Sequence, residues 1–239
     1  MSNFSRLFLN IRSNIEQLLP AQPCLLCGAP SHHGSWCEAC EQALPRLPAA
    51  HCPMCALPTP GGAVCGHCLR KPPRFARTVA AYAYGFPVDK LIQAYKFGAS
   101  LQLARSLAER LVPHIAVRPD CIVAMPLHPL RLRERGFNQS LLLARELGAR
   151  LALPVLEQAC HRTRNTAPQS GLAWRERGRN MRQAFACTGA VAGKHVAVVD
   201  DVMTTGASLN ELAGALKQAG AAEVSTWVVA RTLPHAAQP

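Results

Sequence analysis

Along the chain, short apolar runs alternate with longer stretches in which apolar residues recur every three or four positions. The runs are Thr78 to Tyr84, Cys121 to Met125, Val196 to Val199 and Val224 to Ala230. Short runs of small and β-branched residues, closed by polar turns, read as strands buried on both faces of a parallel sheet. Between them, Leu91, Ile92 and Tyr95 mark a helix over residues 87–96. Leu141, Leu142, Ala144 and Leu147 carry a second helix to Gly148, and Leu209, Leu212, Ala213 and Leu216 a third that closes at Gly220. This alternation predicts an α/β domain with a Rossmann-like parallel sheet over residues 72–235. At the amino terminus, Phe4, Leu7, Phe8, Ile11, Ile15, Leu18 and Leu19 are helically spaced, which predicts an amphipathic helix over residues 1–20. Arg6, Arg12 and Glu16 break up any export signal, and no run of 18 apolar residues occurs, so the expectation is a cytoplasmic protein with no membrane span.

Residues 21–71 follow neither period. Eight of the eleven cysteines lie there, in the C-x-x-C pairs Cys24/Cys27, Cys37/Cys40, Cys52/Cys55 and Cys65/Cys68. Within each half the pairs stand nine residues apart, and the second half repeats the first after a shift of 28. A C-x-x-C turn aims two sulfurs at one point, and two such turns close a tetrahedral site for structural zinc. The segment therefore reads as a double zinc ribbon holding two zinc ions, with metal supplying most of its folding energy. A disulfide module is disfavoured in a reducing compartment. Spacing leaves sequential and interleaved pairing of the turns both open, and sequential pairing is the expectation. His32, His33, His51 and His67 are expected at the surface and not as ligands. Cys121, Cys160 and Cys187 stand apart and are expected to be buried, inert thiols.

Charge adds one distinction. The formal net charge is +12, yet residues 131–182 hold eleven Arg against four Glu, while 183–239 hold three basic against four acidic residues. A basic band of this kind implies a polyanionic partner, either substrate phosphates or a nucleic-acid backbone.

The clearest chemical signal is the run from Val196 through Asp200-Asp201 to Thr204-Thr205-Gly206-Ala207-Ser208. A strand, two carboxylates, a Thr/Gly turn and a helix start suit a phosphorylated sugar. Backbone N–H groups and hydroxyls of Thr204 to Ser208 hold the phosphate, and the carboxylates accept hydrogen bonds from vicinal hydroxyls. A nucleotide- or metal-binding turn of another Rossmann protein, with Asp200 and Asp201 on Mg²⁺, is the alternative. The stretch resembles the phosphoribosyl-pyrophosphate motif of type I phosphoribosyltransferases. That resemblance implies that Asp200 and Asp201 hold the ribose hydroxyls and take part in catalysis, and that Thr204, Thr205, Gly206, Ala207 and Ser208 hold the 5-phosphate. It implies Mg²⁺ bound together with phosphoribosyl pyrophosphate. It also places the pyrophosphate near the loop after the first core strand, with Pro126, Leu127, His128, Arg135, Asn138 and Gln139 as substrate-binding residues. Arg131, Arg133 and Lys96 are further cations with a solvated role as the alternative. The polar segment from Arg162 to Phe185 reads either as a loop that closes over the site or as a basic surface loop.

Together, the four C-x-x-C pairs, Tyr95-Lys-Phe-Gly98, Pro126 to Gln139, Arg162-Thr-Arg164, Gln169, Arg179-Asn-Met181 and the Asp-Asp turn resemble the ComF/GntX family, competence proteins that join a double zinc ribbon to a phosphoribosyltransferase-like domain. The resemblance implies a glycosyltransferase acting in DNA uptake or the use of external DNA, with an acceptor the sequence does not name. The other reading is a non-catalytic module that keeps the pocket as a phosphoribosyl sensor and grips single-stranded DNA or a competence helicase. Aromatic residues make up only 5% of the chain, so platforms for stacking bases are few.

Overall fold

A computed structural model describes residues 21–32, 34–98, 100–163 and 184–234. The amino-terminal helix expected over residues 1–20, His33, and the segment from Arg164 through Gln169, Arg179 and Met181 lie outside them. The chain divides into two compact units, Met1–Leu44 and Pro45–Pro239.

The smaller unit is built around the first cysteine motif. Strand β1 (Gln22–Pro23) pairs antiparallel with β2 (Pro30–Ser31), and helix α1 (Glu38–Ala43) follows. Trp36 is its main buried side chain, with Nε1 donating to Glu41 Oε2 at 2.6 Å.

The larger unit opens with the second cysteine motif, which includes the short helix α2 (Gly66–Arg70). A four-stranded parallel sheet follows, formed by β3 (Arg77–Ala83), β4 (Cys121–Ala124), β7 (His195–Met203) and β8 (Glu223–Arg231) in the order β3-β8-β7-β4. The two central strands, β8 and β7, are buried along most of their length because both their faces are covered. On one face, Val196, Val198, Val224 and Val228 share a core with Leu209, Leu212 and Leu216 of helix α7 (Ala207–Gln218). Cys52, Cys55 and Cys68 belong to the same core, so the second cysteine motif is part of this unit's packing. The other face is covered by α4 (Leu101–Leu111) and α6 (Gln139–Leu151), which bury Leu103, Leu107, Leu111, Leu143 and Leu147. Helix α3 (Val88–Gly98) buries Leu91, Ile92 and Tyr95, as its spacing foretold.

Two expectations are corrected. Helix α6 does not stop at Gly148 but runs to Leu151. Gly148 is instead a point of close approach, where a Cβ would sit 2.6 Å from Val155 Cγ2 and 2.9 Å from Leu153 O. Cys160 and Cys187 are not separate thiols. They lie in register on the antiparallel strands β5 (Cys160–Arg162) and β6 (Phe185–Cys187), with Cα atoms 4.2 Å apart, and form a disulfide. Strand pairing brings together two residues 27 positions apart, which spacing alone does not reveal. Cys121 is a buried free thiol, as expected. Among the described residues, no helix is long and apolar enough to cross a membrane.

Candidate functional site

Each cysteine motif gathers its own four sulfurs: Cys24, Cys27, Cys37 and Cys40 in one group, Cys52, Cys55, Cys65 and Cys68 in the other. Grouping is therefore sequential. All ligand atoms within a group lie within 4.8 Å of one another, and the Cys27–Cys37 and Cys55–Cys65 sulfur pairs are each 3.7 Å apart. A tetrahedral zinc tetrathiolate with Zn–S of about 2.3 Å has S···S edges of about 3.8 Å, so both groups fit zinc. Backbone N–H groups point at the sulfurs, from Leu26 and Cys37 to Cys24 and from Cys68 to Cys65. Burial pushes the Cys24 thiol up, but its backbone hydrogen bonds outweigh that and bring it down to about 6. Burial, with Cys65 and Cys52, pushes Cys55 up to about 11 against the opposing pull of the Leu57 N–H and Cys68. Thiols this close resist joint ionisation, and a divalent cation removes the conflict. No histidine joins either group among the described residues.

The second site stands at the carboxyl end of β7, where open α/β sheets bind ligands. The strand delivers Asp200 and Asp201, the chain turns through Thr204 to Gly206, and α7 begins at Ala207. Gly206 has φ +77°, a left-handed conformation that glycine adopts without strain, and a Cβ there would meet Met203 Cε at 2.5 Å. Thr205 Oγ1 accepts from Ala207 N at 3.3 Å. The first turn of α7 offers N–H groups without partners inside the helix, at its positive end.

The two carboxylates have different surroundings. Asp200 Oδ1 accepts from Ser140 Oγ and from Asp201 N, each at 2.9 Å. Burial, reinforced by the charge of Asp201, pushes Asp200 up to about 7, against the opposing pull of Ser140, the Asp201 N–H and Lys96. Asp201 is 5% exposed; its Oδ1 accepts from Val202 N, and its Oδ2 pairs with Lys96 Nζ at 2.9 Å. Lys96, read from the sequence either as a phosphate contact or as a solvated helix-end cation, therefore faces a carboxylate. Ser140 was missed, because nothing in its neighbourhood distinguishes it from an ordinary helix-start serine.

The loop after β4 completes this end of the sheet. Pro126 is buried and Leu127 half-buried. His128 caps α5 (Pro129–Arg135), its Nδ1 accepting from Leu130 N at 3.3 Å. Asn138 caps α6 through Oδ1, while its Nδ2 donates to Met125 O at 3.1 Å, tying the helix to the end of β4. Arg135 Nη1 donates to Gln139 Oε1 at 3.1 Å, and Gln139 O accepts from the buried Tyr95 hydroxyl at 2.5 Å. Burial lowers the Arg162 pKa; the charge of Arg131 adds to this and that of Asp200 opposes it. A carboxyl pair beside a helix start and several guanidinium groups can hold a molecule bearing both hydroxyls and phosphate.

Comparison with known proteins bears on the two domains. Residues 15–69 match the double zinc ribbon domain and residues 135–237 the phosphoribosyl transferase domain. DNA utilization protein YhgH of Escherichia coli (strain K12) is 40% identical over 220 residues, spanning 88% of this chain and 97% of that protein. Competence protein F of Haemophilus influenzae is 34% identical over 172 residues, 66% of this chain and 74% of that protein. Among solved structures, glutamine phosphoribosylpyrophosphate amidotransferase from Bacillus subtilis aligns with TM-score 0.40 and 20% identity, over 57% of this chain and 30% of that one. Purine phosphoribosyltransferase from Pyrococcus horikoshii aligns with TM-score 0.32 and 19% identity, over 68% and 96%.

The two domain matches define a zinc-ribbon protein with a phosphoribosyltransferase-type α/β domain. With relatives this similar over most of its length, the chain belongs to the ComF/GntX family of competence and DNA-utilization proteins.

Proposed function

We propose that the chain binds phosphoribosyl pyrophosphate with Mg²⁺ at the end of β7 and serves the uptake or use of external DNA. The observation that carries the ligand is the placement of Asp200 and Asp201 directly before a glycine turn that opens α7. In this reading Asp200 and Asp201 accept hydrogen bonds from the ribose hydroxyls, with Ser140 orienting Asp200. Thr204 to Ser208 hold the 5-phosphate, and the Arg135 side of the β4 loop faces the pyrophosphate. Asp200 and Asp201 are also the carboxylates placed to hold Mg²⁺, which when bound neutralises pyrophosphate oxygens. Catalysis would then rest on positioning and on stabilising the leaving group's charge. The DNA role is supported by the printed names of the relatives.

A second reading, a polyanion-binding module that keeps the pocket as a sensor, is favoured by α5. This helix has no buried residue and carries Arg131, Arg133 and Arg135. Calorimetric titration of phosphoribosyl pyrophosphate and Mg²⁺ into zinc-loaded protein tests the first reading. Saturable binding, lost in Asp200→Ala/Asp201→Ala, supports it. No binding by the wild-type chain refutes it, and salt-sensitive retention of single-stranded DNA by both proteins would then leave the second.

A further inference from the structure

Arg231, the last residue of β8, is 4% exposed and has no carboxylate partner among the described residues. Its bonds go to backbone carbonyls from three places. Nε donates to Cys55 O at 2.7 Å, inside the second cysteine motif. Nη1 donates to Met203 O at 3.0 Å, to Thr232 O at 2.8 Å, and to Thr204 O. One planar guanidinium thus spans from a zinc-ligating turn to the first residue of the phosphate turn.

The electrostatics point the same way. A buried cation without a carboxylate needs a counter-charge nearby. Four thiolates around one Zn²⁺ carry a net charge of −2, and the Arg231 guanidinium reaches that centre through Cys55 O. The second cysteine motif is held to the sheet independently: Thr78 N donates to Pro53 O at 3.0 Å and Thr78 Oγ1 to Met54 O at 2.6 Å. The motif therefore has little freedom to shift without moving the end of β8.

We propose that Arg231 is a positioning residue that couples the second zinc centre to the phosphate turn, so that metal at Cys52, Cys55, Cys65 and Cys68 and a phosphate ester at Thr204 to Ser208 strengthen each other's binding. The proposal rests on the phosphoribosyl pyrophosphate reading. Metal fixes the Cys55 carbonyl and supplies the counter-charge. Arg231, held from that side, fixes the Met203 and Thr204 carbonyls, and with them the direction in which the turn presents its N–H groups.

Coupling of binding free energies is reciprocal, so ligand must tighten zinc as much as zinc tightens ligand. The test measures the zinc affinity of the full chain by equilibrium competition with a chelator, with and without saturating phosphoribosyl pyrophosphate and Mg²⁺. Cys24→Ser identifies which zinc belongs to the first centre. The expected result is an increase of about 5-fold or more in the affinity of the second zinc, with the first unchanged. In Arg231→Lys, which keeps the charge but not the rigid fork, both zinc ions remain bound and the ligand effect disappears. A merely structural arginine would leave the ligand effect intact in Arg231→Lys. Ligand binding by wild type without any change in zinc affinity, an equal change at both centres, or a full effect in Arg231→Lys overturns the coupling alone. Absence of ligand binding by wild type overturns the ligand reading and the coupling with it.

Discussion

Replacing Gly206 with alanine puts the phosphate turn to a quantitative test. At φ +77° an L side chain costs about 1–2 kcal/mol in backbone strain. The new Cβ would stand 2.5 Å from Met203 Cε, and Met203 is only 2% exposed, so it must leave its rotamer inside a packed core. That adds about 0.5–1.5 kcal/mol. Reduced freedom of the unfolded chain returns about 0.4–1 kcal/mol. The net destabilisation is about 0.5–3 kcal/mol, or roughly 1–12 °C in the melting temperature for a unit of this size. Gly193→Ala is the control: its φ is +71°, but nothing lies within 4 Å of its Cβ, so strain acts without the clash. Urea titrations should place Gly206→Ala below Gly193→Ala in stability. Calorimetry should show phosphoribosyl pyrophosphate affinity falling about 10-fold in Gly206→Ala alone if the turn shifts to relieve the strain. Equal stabilities, with both variants binding as wild type, would refute the argument that this turn has no room for a side chain.

Asp200 should impose a pH dependence on stability. Its folded value of about 7 lies above the ordinary 3.8, so the folded state holds a proton the unfolded chain has released between these values. The contribution is fully favourable below about pH 4 and is lost as pH rises through 7. Asp200→Asn should raise the urea midpoint at pH 8 more than at pH 5, and identical shifts at the two pH values would contradict it. Peptide mapping without reductant should find Cys160 joined to Cys187. Closing a loop of 27 residues is worth about 3–4 kcal/mol, so Cys187→Ser should lower the urea midpoint of oxidised protein and leave reduced protein nearly unchanged.

Much of this protein is written in its local sequence. The four C-x-x-C pairs fix the metal and ligand number because thiolate geometry is set within four residues. The apolar runs reveal the strands because a strand covered on both faces is built mainly of apolar and small residues. The Asp-Asp-to-glycine turn is legible because strand, acids, turn and helix start are contiguous. Tertiary structure decided the rest, wherever the physics acts between distant segments. The 28-residue repeat makes the two cysteine motifs look alike, and nothing in that pattern foretells that Cys52, Cys55 and Cys68 of the second share a core with the sheet. Lys96 meets Asp201, Ser140 meets Asp200, and Arg231 spans Cys55 and Thr204 across separations that no periodicity encodes. A buried charge must find its partner somewhere, but the partner's identity is set by which strand ends and helix starts converge.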